Sequence, residues 1–314
     1  MDDTEHRSVL SGNMIGISPC NLCPRMCGAD RSKTTGRCGA GSYMQVSHIM
    51  LHHWEEPPIS GYDKERGSGT VFFTHCPLGC AYCQNGKISR RESSGQVHTS
   101  ESLADVMLKL QEDGAYNINC VSPTQYTLQI IEAVKIARKL GLTLPIVWNT
   151  GGYERPEVIE MLRGTVDIFL TDFKYASSEL SEKYSSAPDY PEYAAASLGA
   201  MHRITGRYII GEDGIMRRGV IVRHLVLPSH RGDSIAVLGK IAKTVLPSDV
   251  LLSLMAQYTP EFLPEAKEDD KFARIRRKVT SFEYEKVVEE ASRLGFEGFS
   301  QERSSATKKF TPDF

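Results

Sequence analysis

Apolar residues along this chain recur at two periods that take turns, short β-rich runs and then stretches with one apolar face at helical spacing. The runs at 70–74, 116–121, 144–148, 166–171, 220–227 and 250–256 predict six strands. Residues 101–113 put Leu103, Val106, Met107 and Leu110 on one helical face, with Ser100 as the expected cap. A longer helix is predicted over 124–140, stopped by Gly141. Others are predicted over 155–163, 177–185, 193–203, 234–245 (capped by Asp233) and 282–294. Strands that alternate with helices predict parallel βα units with right-handed crossovers. Six units make a partial barrel, short of the eight that close one. The fold class is α/β, a partial (βα)6 barrel, whose active groups belong on the loops after the strands. Polar residues punctuate those loops at 122–124, 149–152, 172–174 and 228–230.

Composition narrows the partners. The 314 residues carry a net charge of −2, which favours neither nucleic acid nor an anionic membrane. The acidic stretch 265–270 and the basic 274–278 nearly cancel and read as a solvated face. No apolar run is long enough to span a bilayer, and the polar start 1–7 is unlike a signal peptide. The expected location is cytoplasmic. Eight cysteines in an unsecreted chain argue for thiolate chemistry rather than disulfides. Cys120, alone in an apolar stretch, reads as a small core residue.

The other seven cysteines form two groups. Cys76, Cys80 and Cys83 follow the first predicted strand with C-x3-C-x2-C spacing and no fourth ligand close behind. Structural zinc wants four protein ligands. A four-iron cluster on three thiolates leaves one iron open to a substrate or cofactor. The second group, Cys20, Cys23, Cys27 and Cys38, is spaced C-x2-C-x3-C-x10-C, which suits either an auxiliary iron–sulfur cluster or a zinc tetrahedron.

The loop from Cys76 to Cys83, with Tyr82 before the last cysteine, resembles the cysteine loop of radical S-adenosylmethionine (SAM) enzymes. With Gly67 to Phe73 before it and Gln84-Asn85 after it, the segment is similar to the activating enzymes of glycyl-radical enzymes. The chain as a whole resembles the pyruvate formate-lyase-activating-enzyme-related iron–sulfur proteins. The carrying motifs are Cys20-Asn21-Leu22-Cys23-Pro24-Arg25-Met26-Cys27-Gly28, Arg223-His224-Leu225-Val226-Leu227-Pro228 and Phe310-Thr311-Pro312-Asp313-Phe314. The resemblance implies a radical SAM partial barrel with a Cys-rich N-terminal extension. Its expected parts are 1–66 as the extension, 67–262 as the barrel core and 263–314 as a C-terminal helix and tail. It also implies a [4Fe-4S] cluster on Cys76, Cys80 and Cys83 that donates one electron to bound SAM, giving methionine and a 5′-deoxyadenosyl radical for hydrogen abstraction. A flavodoxin or ferredoxin is the implied electron donor. The substrate is a glycyl-radical enzyme or, in the alternative, another protein, a peptide or a small molecule. A non-enzymatic zinc-binding module is disfavoured by the neutral charge and the barrel.

Carried over residue by residue, the resemblance implies that the Tyr82 backbone lies against adenine and that Asn85 follows the cluster. The expected Gly-Gly-Glu run is replaced by 119–124, where Asn119, Ser122 and Thr124 offer an amide and hydroxyls; a helix N-cap is the plainer reading. Asn149-Thr150 matches an Asp-Thr pair that touches ribose and helps bind a cation, and the lost charge puts that cation in doubt. Asp172-Phe173-Lys174 matches an Asp-Leu-Lys motif in which the lysine pairs with the methionine carboxylate; a surface ion pair is the bland alternative. Arg223 and Gln257 are further SAM-contact candidates. An arginine expected just before the first strand is missing from Gly67-Ser68-Gly69-Thr70.

Overall fold

The structure, a computed structural model, describes residues 15–266, 268 and 270–300. The polar start 1–7 and the motif 310–314 lie outside the described residues. All six predicted strands are present: β2 (Ser68–Phe73), β4 (Ile118–Val121), β5 (Ile146–Thr150), β6 (Ile168–Asp172), β8 (Met216–Leu225) and β9 (Leu251–Met255). They hydrogen-bond in that order, all parallel, and β10 (Glu297–Ser300) adds a seventh parallel strand beyond β9. On the other side of β2, β1 (Met44–His52) runs antiparallel and carries β3 (Gln96–His98) at the edge. The short β7 (Ile209–Ile210) pairs only with β8. The sheet is open, with β3 and β10 as its two ends, as a partial barrel requires.

Strand alternation sorts the two faces. Val71, Cys120, Trp148, Phe169, Val222 and Leu254 point outward into the main core. There they meet Met107 of α3 (Ser100–Glu112), Ala133 of α4 (Thr127–Lys139), Leu198 of α7 (Tyr190–Thr205) and Leu238 of α8 (Arg231–Thr244). Cys120 is thus a buried core residue, as its apolar surroundings predict. The inward set, Val147, Ile168, Leu170, Ile221 and Leu251, packs instead around Ile59. That residue belongs to α1 (Pro57–Ser60), a single turn after β1 that plugs the barrel interior. Asn117 Nδ2 holds the plug by donating to Ile59 O at 2.7 Å.

Helix ends depart from expectation where side chains find better partners. Thr99, not Ser100, caps α3, in a reciprocal box with Ser102. The stretch at 124–140 opens with a 3-10 turn at Thr124–Tyr126 before α4 begins. Asp233 lies inside α8, its carboxylate taken by the Ala176 N–H at 3.2 Å. The helix at 155–163 shortens to α5 (Pro156–Glu160). The basic residues of 274–278 are largely exposed, as a solvated face requires, and ion pairs hold part of them. Arg276 pairs with Asp270, and Arg277 binds Glu283 of α9 (Ser281–Arg293) at 2.6 Å. Among the described residues, no helix is long and apolar enough to cross a membrane.

Candidate functional site

β2 ends at Phe73, and the chain turns sharply at His75, whose φ of 71° is left-handed. Such strain is held where surroundings over-determine it. His75 is buried, its Nδ1 within 2.8 Å of Thr74 Oγ1 and 3.1 Å of the Tyr126 hydroxyl. Gln125 Nε2 then donates to the carbonyls of both Thr74 and His75. The turn delivers Cys76, Cys80 and Cys83 to the floor of a cavity of about 240 Å³ at the strands' C-terminal ends.

The same cavity is lined by Tyr82, Asn85, Ser122, Asn149, Thr150, Asp172, Lys174, Arg223 and Gln257. Asn119 and Thr124 are not on its wall. Asn119 Nδ2 donates to Glu55 Oε1, which is on the wall, at 3.3 Å, and Thr124 Oγ1 donates to the buried Glu154 Oε1 at 2.6 Å. Ser122, at φ 55°, repeats after β4 the left-handed turn seen after β2.

The wall is charged in alternation. Lys174 Nζ lies 2.5 Å from Asp172, and Arg223 Nε donates to the same carboxylate at 2.8 Å. Arg223 also reaches Asn149 Oδ1 at 2.7 Å and Glu55 Oε2 at 3.3 Å. Burial opposes the charge of Asp172, but Arg223 and Lys174 together hold its carboxyl below the usual range. Burial pushes the Glu55 and Glu56 carboxyls up, only partly offset by Arg223. Asp172 and Lys174 form a partly buried pair on the cavity wall. The close approach of the β5 and β6 loops depends on Gly152. At its φ of 78°, a Cβ would stand 2.0 Å from Asp172 O. Tyr190 ties the two loops, its hydroxyl 3.0 Å from the carbonyls of both Gly151 and Asp172.

Around the sulfurs, Ser185 Oγ donates to Cys80 Sγ at 2.9 Å, and Ser89 Oγ lies 3.3 Å from Cys83 Sγ. Tyr82, Tyr175 and Ser185 form a buried hydroxyl chain, with steps of 2.6 and 2.8 Å, that ends on Cys80. Burial, then the neighbouring thiols Cys80 and Cys83, push the Cys76 thiol up. Three crowded soft donors, free of disulfides and served by sulfur-directed hydroxyls, fit an iron–sulfur cluster, which needs thiolates and hydrogen bonds to sulfur.

Several residues of this site carry no linear signal. Glu55 meets partners 64, 94 and 168 positions away. Glu154 is fully buried, accepting from Thr124, Thr150 and Trp148. The Glu55-Glu56-Pro57-Pro58 run, acids ahead of two prolines, is the one feature that could have marked an inserted turn.

Residues 70–208 match the family model described as the radical SAM superfamily. An uncharacterised protein of Methanocaldococcus jannaschii is 28% identical over 288 residues, spanning 88% of this chain and 75% of that one. Among solved structures, a radical SAM methyltransferase from Sphaerobacter thermophilus is 16% identical with a TM-score of 0.49, over 76% of this chain and 67% of its own. Streptococcus suis SuiB bound to S-adenosylmethionine is 12% identical with a TM-score of 0.47; the match takes in 73% of this chain and 45% of SuiB.

Proposed function

From the match of residues 70–208 to the radical SAM model, we propose that this chain is a radical SAM enzyme that cleaves SAM reductively at a [4Fe-4S] cluster held by Cys76, Cys80 and Cys83. The observation that carries this is the convergence of the three-thiol loop with Lys174, Asp172 and Arg223 on one cavity. When bound, the cluster supplies one electron to the SAM sulfonium, yielding methionine and a 5′-deoxyadenosyl radical that takes hydrogen from a substrate. The chain's own residues bind and orient. Lys174 pairs with the methionine carboxylate, while Asp172, braced by Arg223, keeps the lysine charged and aimed. Ser122 offers a hydroxyl to the methionine amino group, Asn149 and Thr150 offer hydrogen bonds to the ribose, Gln257 is a further SAM contact, and the Tyr82 backbone lies against the adenine.

The finer reading is a glycyl-radical-activating enzyme resembling that of pyruvate formate-lyase, working in the cytoplasm with a flavodoxin or ferredoxin donor. The Asp172-Phe173-Lys174 motif supports it. The missing arginine at 67–70 and the Asn149 substitution favour the second reading, direct action on a small molecule or peptide. The N-terminal quartet enters as a second metal centre, iron–sulfur or zinc. The test is anaerobic reconstitution followed by an assay for 5′-deoxyadenosine. Wild type is expected to form it and Cys80→Ala to form none. A fully loaded wild type that never cleaves SAM would sink the proposal.

A further inference from the structure

Three hydroxyls buried beside the cavity point one way. Tyr82, Tyr175 and Ser185 are at most 7% exposed. Their oxygens follow one another at 2.6 and 2.8 Å, and the last stands 2.9 Å from Cys80 Sγ. A sulfur bound to a cluster is a thiolate without a proton, so Ser185 must donate to it. Each hydroxyl has a single proton to give. With its own spent on sulfur, Ser185 Oγ accepts from Tyr175, and Tyr175 accepts in turn from Tyr82. All three O–H dipoles therefore point toward Cys80, and each polarises the next.

The surroundings hold the three in that order. Ser185 ends α6 (Ser178–Ser185), and Ser186 after it turns left-handed at φ 52°. The cysteine loop docks on this helix end, with Ala81 N donating to Tyr184 O at 2.8 Å and Gly79 N to Ser185 O at 3.4 Å. Arg25 clamps the junction, donating to Ser185 O at 3.3 Å and to Pro77 O at 3.0 Å. Tyr175 directly follows Lys174, and its ring meets Tyr190 edge-on with centroids 5.6 Å apart. The Tyr82 ring meets Tyr258 in the same way at 5.8 Å. Packing alone would be served as well by phenylalanine at either tyrosine.

We propose that Tyr82, Tyr175 and Ser185 form a relay of hydrogen bonds that raises the reduction potential of the cluster on Cys76, Cys80 and Cys83, acting through the sulfur of Cys80. The reduced cluster is the more negative form, and donors aimed at its sulfurs favour it. The two tyrosines are positioning residues that act through Ser185. No bond breaks and no proton changes owner. The cluster itself belongs to the radical SAM reading, on which this inference rests.

The test is an anaerobic redox titration without SAM, read on the electron paramagnetic resonance signal that Cys80→Ala removes. At a fixed solution potential, Ser185→Ala is expected to lower the ratio of reduced to oxidised cluster about tenfold, a fall of about 59 mV for a one-electron couple. Tyr175→Phe, which touches no sulfur, is expected to lower it about two- to threefold, and Tyr82→Phe by less, since each step only polarises the next bond. It also covers the case of a Ser185→Ala protein that fails to load iron. Ser185→Thr keeps a hydroxyl and is expected to restore most of the loss. Packing loosened enough to admit water would move the potential upward instead, because water favours the more charged form. An upward shift, or no shift in Tyr175→Phe and Ser185→Ala at full iron content, overturns the relay and leaves the SAM chemistry standing. The expected order of potentials in a protein that forms no 5′-deoxyadenosine upholds the relay and counts against SAM cleavage. A signal that survives Cys80→Ala intact overturns both.

Discussion

Arg223 is the residue on which the cavity's charge balance turns. Its guanidinium serves Asp172, Asn149 and Glu55, which come from three different segments. Removing one partner of a buried ion pair strands the other, at about 3–5 kcal/mol. Arg223→Met is expected to lose stability on that scale in anaerobic urea titrations, and Asp172→Asn in the same chain to restore part of it. Glu154 is the second such position. Burial first of all pushes its carboxyl up to about 7, against the hydrogen bonds from Thr124, Thr150 and Trp148 that favour its charge. A folded-state value above the unfolded one means stability that is full at low pH and lost as pH rises toward 7. Glu154→Gln removes that titration. The stability of wild type relative to Glu154→Gln should therefore fall between about pH 4 and 7, by roughly 3 kcal/mol at about 1.4 kcal/mol per unit, and level off above that. A flat difference across that range would show Glu154 to be charged throughout. The cysteines, Asp172 and Lys174 were legible in the sequence because their spacing or strand-end position is local. Glu55 and Glu154 were not, because burial of a carboxylate is a property of its distant partners.

At the scale of elements, periodicity marked the six central parallel strands, since strands covered on both faces read as apolar runs with polar ends, but not the mostly exposed β10 at the edge. It missed β1, whose half-exposed residues Ile49 and Met50 alternate weakly, and the one-turn plug α1. Yet α1 supplies Ile59 to the barrel interior and leads from Glu55. Ile59→Ala is expected to cost about 2–5 kcal/mol, measured by denaturant midpoint, because the closed interior relaxes poorly into a cavity. The loops after β5 and β6 depend on one another through Gly152. Gly152→Ala, forced against Asp172 O, is expected to destabilise by more than about 1 kcal/mol and to weaken SAM binding, read by equilibrium dialysis. A variant with unchanged SAM affinity would separate the loop contact from the site. Helix ends shifted by a residue or more because caps are chosen by competition. Asp233 found the Ala176 N–H across the fold rather than its own helix.

Across the whole molecule, an open sheet of parallel strands gathers its loops at one end and leaves its interior to be filled by other chain. α1 fills it from within, and the N-terminal cysteine segment is pinned outside by Arg25, Arg31 and Arg155, the last donating to Asn21 O at 2.6 Å. Arg31→Met is expected to loosen that pinning, so that limited proteolysis nicks within 15–43 while the barrel fragment survives; cleavage spread through the barrel would show the two to unfold together. By itself the sequence determined the chemistry: three thiols at C-x3-C-x2-C spacing, a second set of four, and six βα units that point their loops one way. Those are local facts, written in spacing and period. Only the tertiary structure decided which polar residues share the cavity, that Thr124 serves the buried Glu154 away from it while Asn119 reaches Glu55 on its wall, and that Pro77, next to Cys76, lines the small cavity of the other four thiols. Burial and charge compensation decide such matters, and both are summed over residues far apart in the chain.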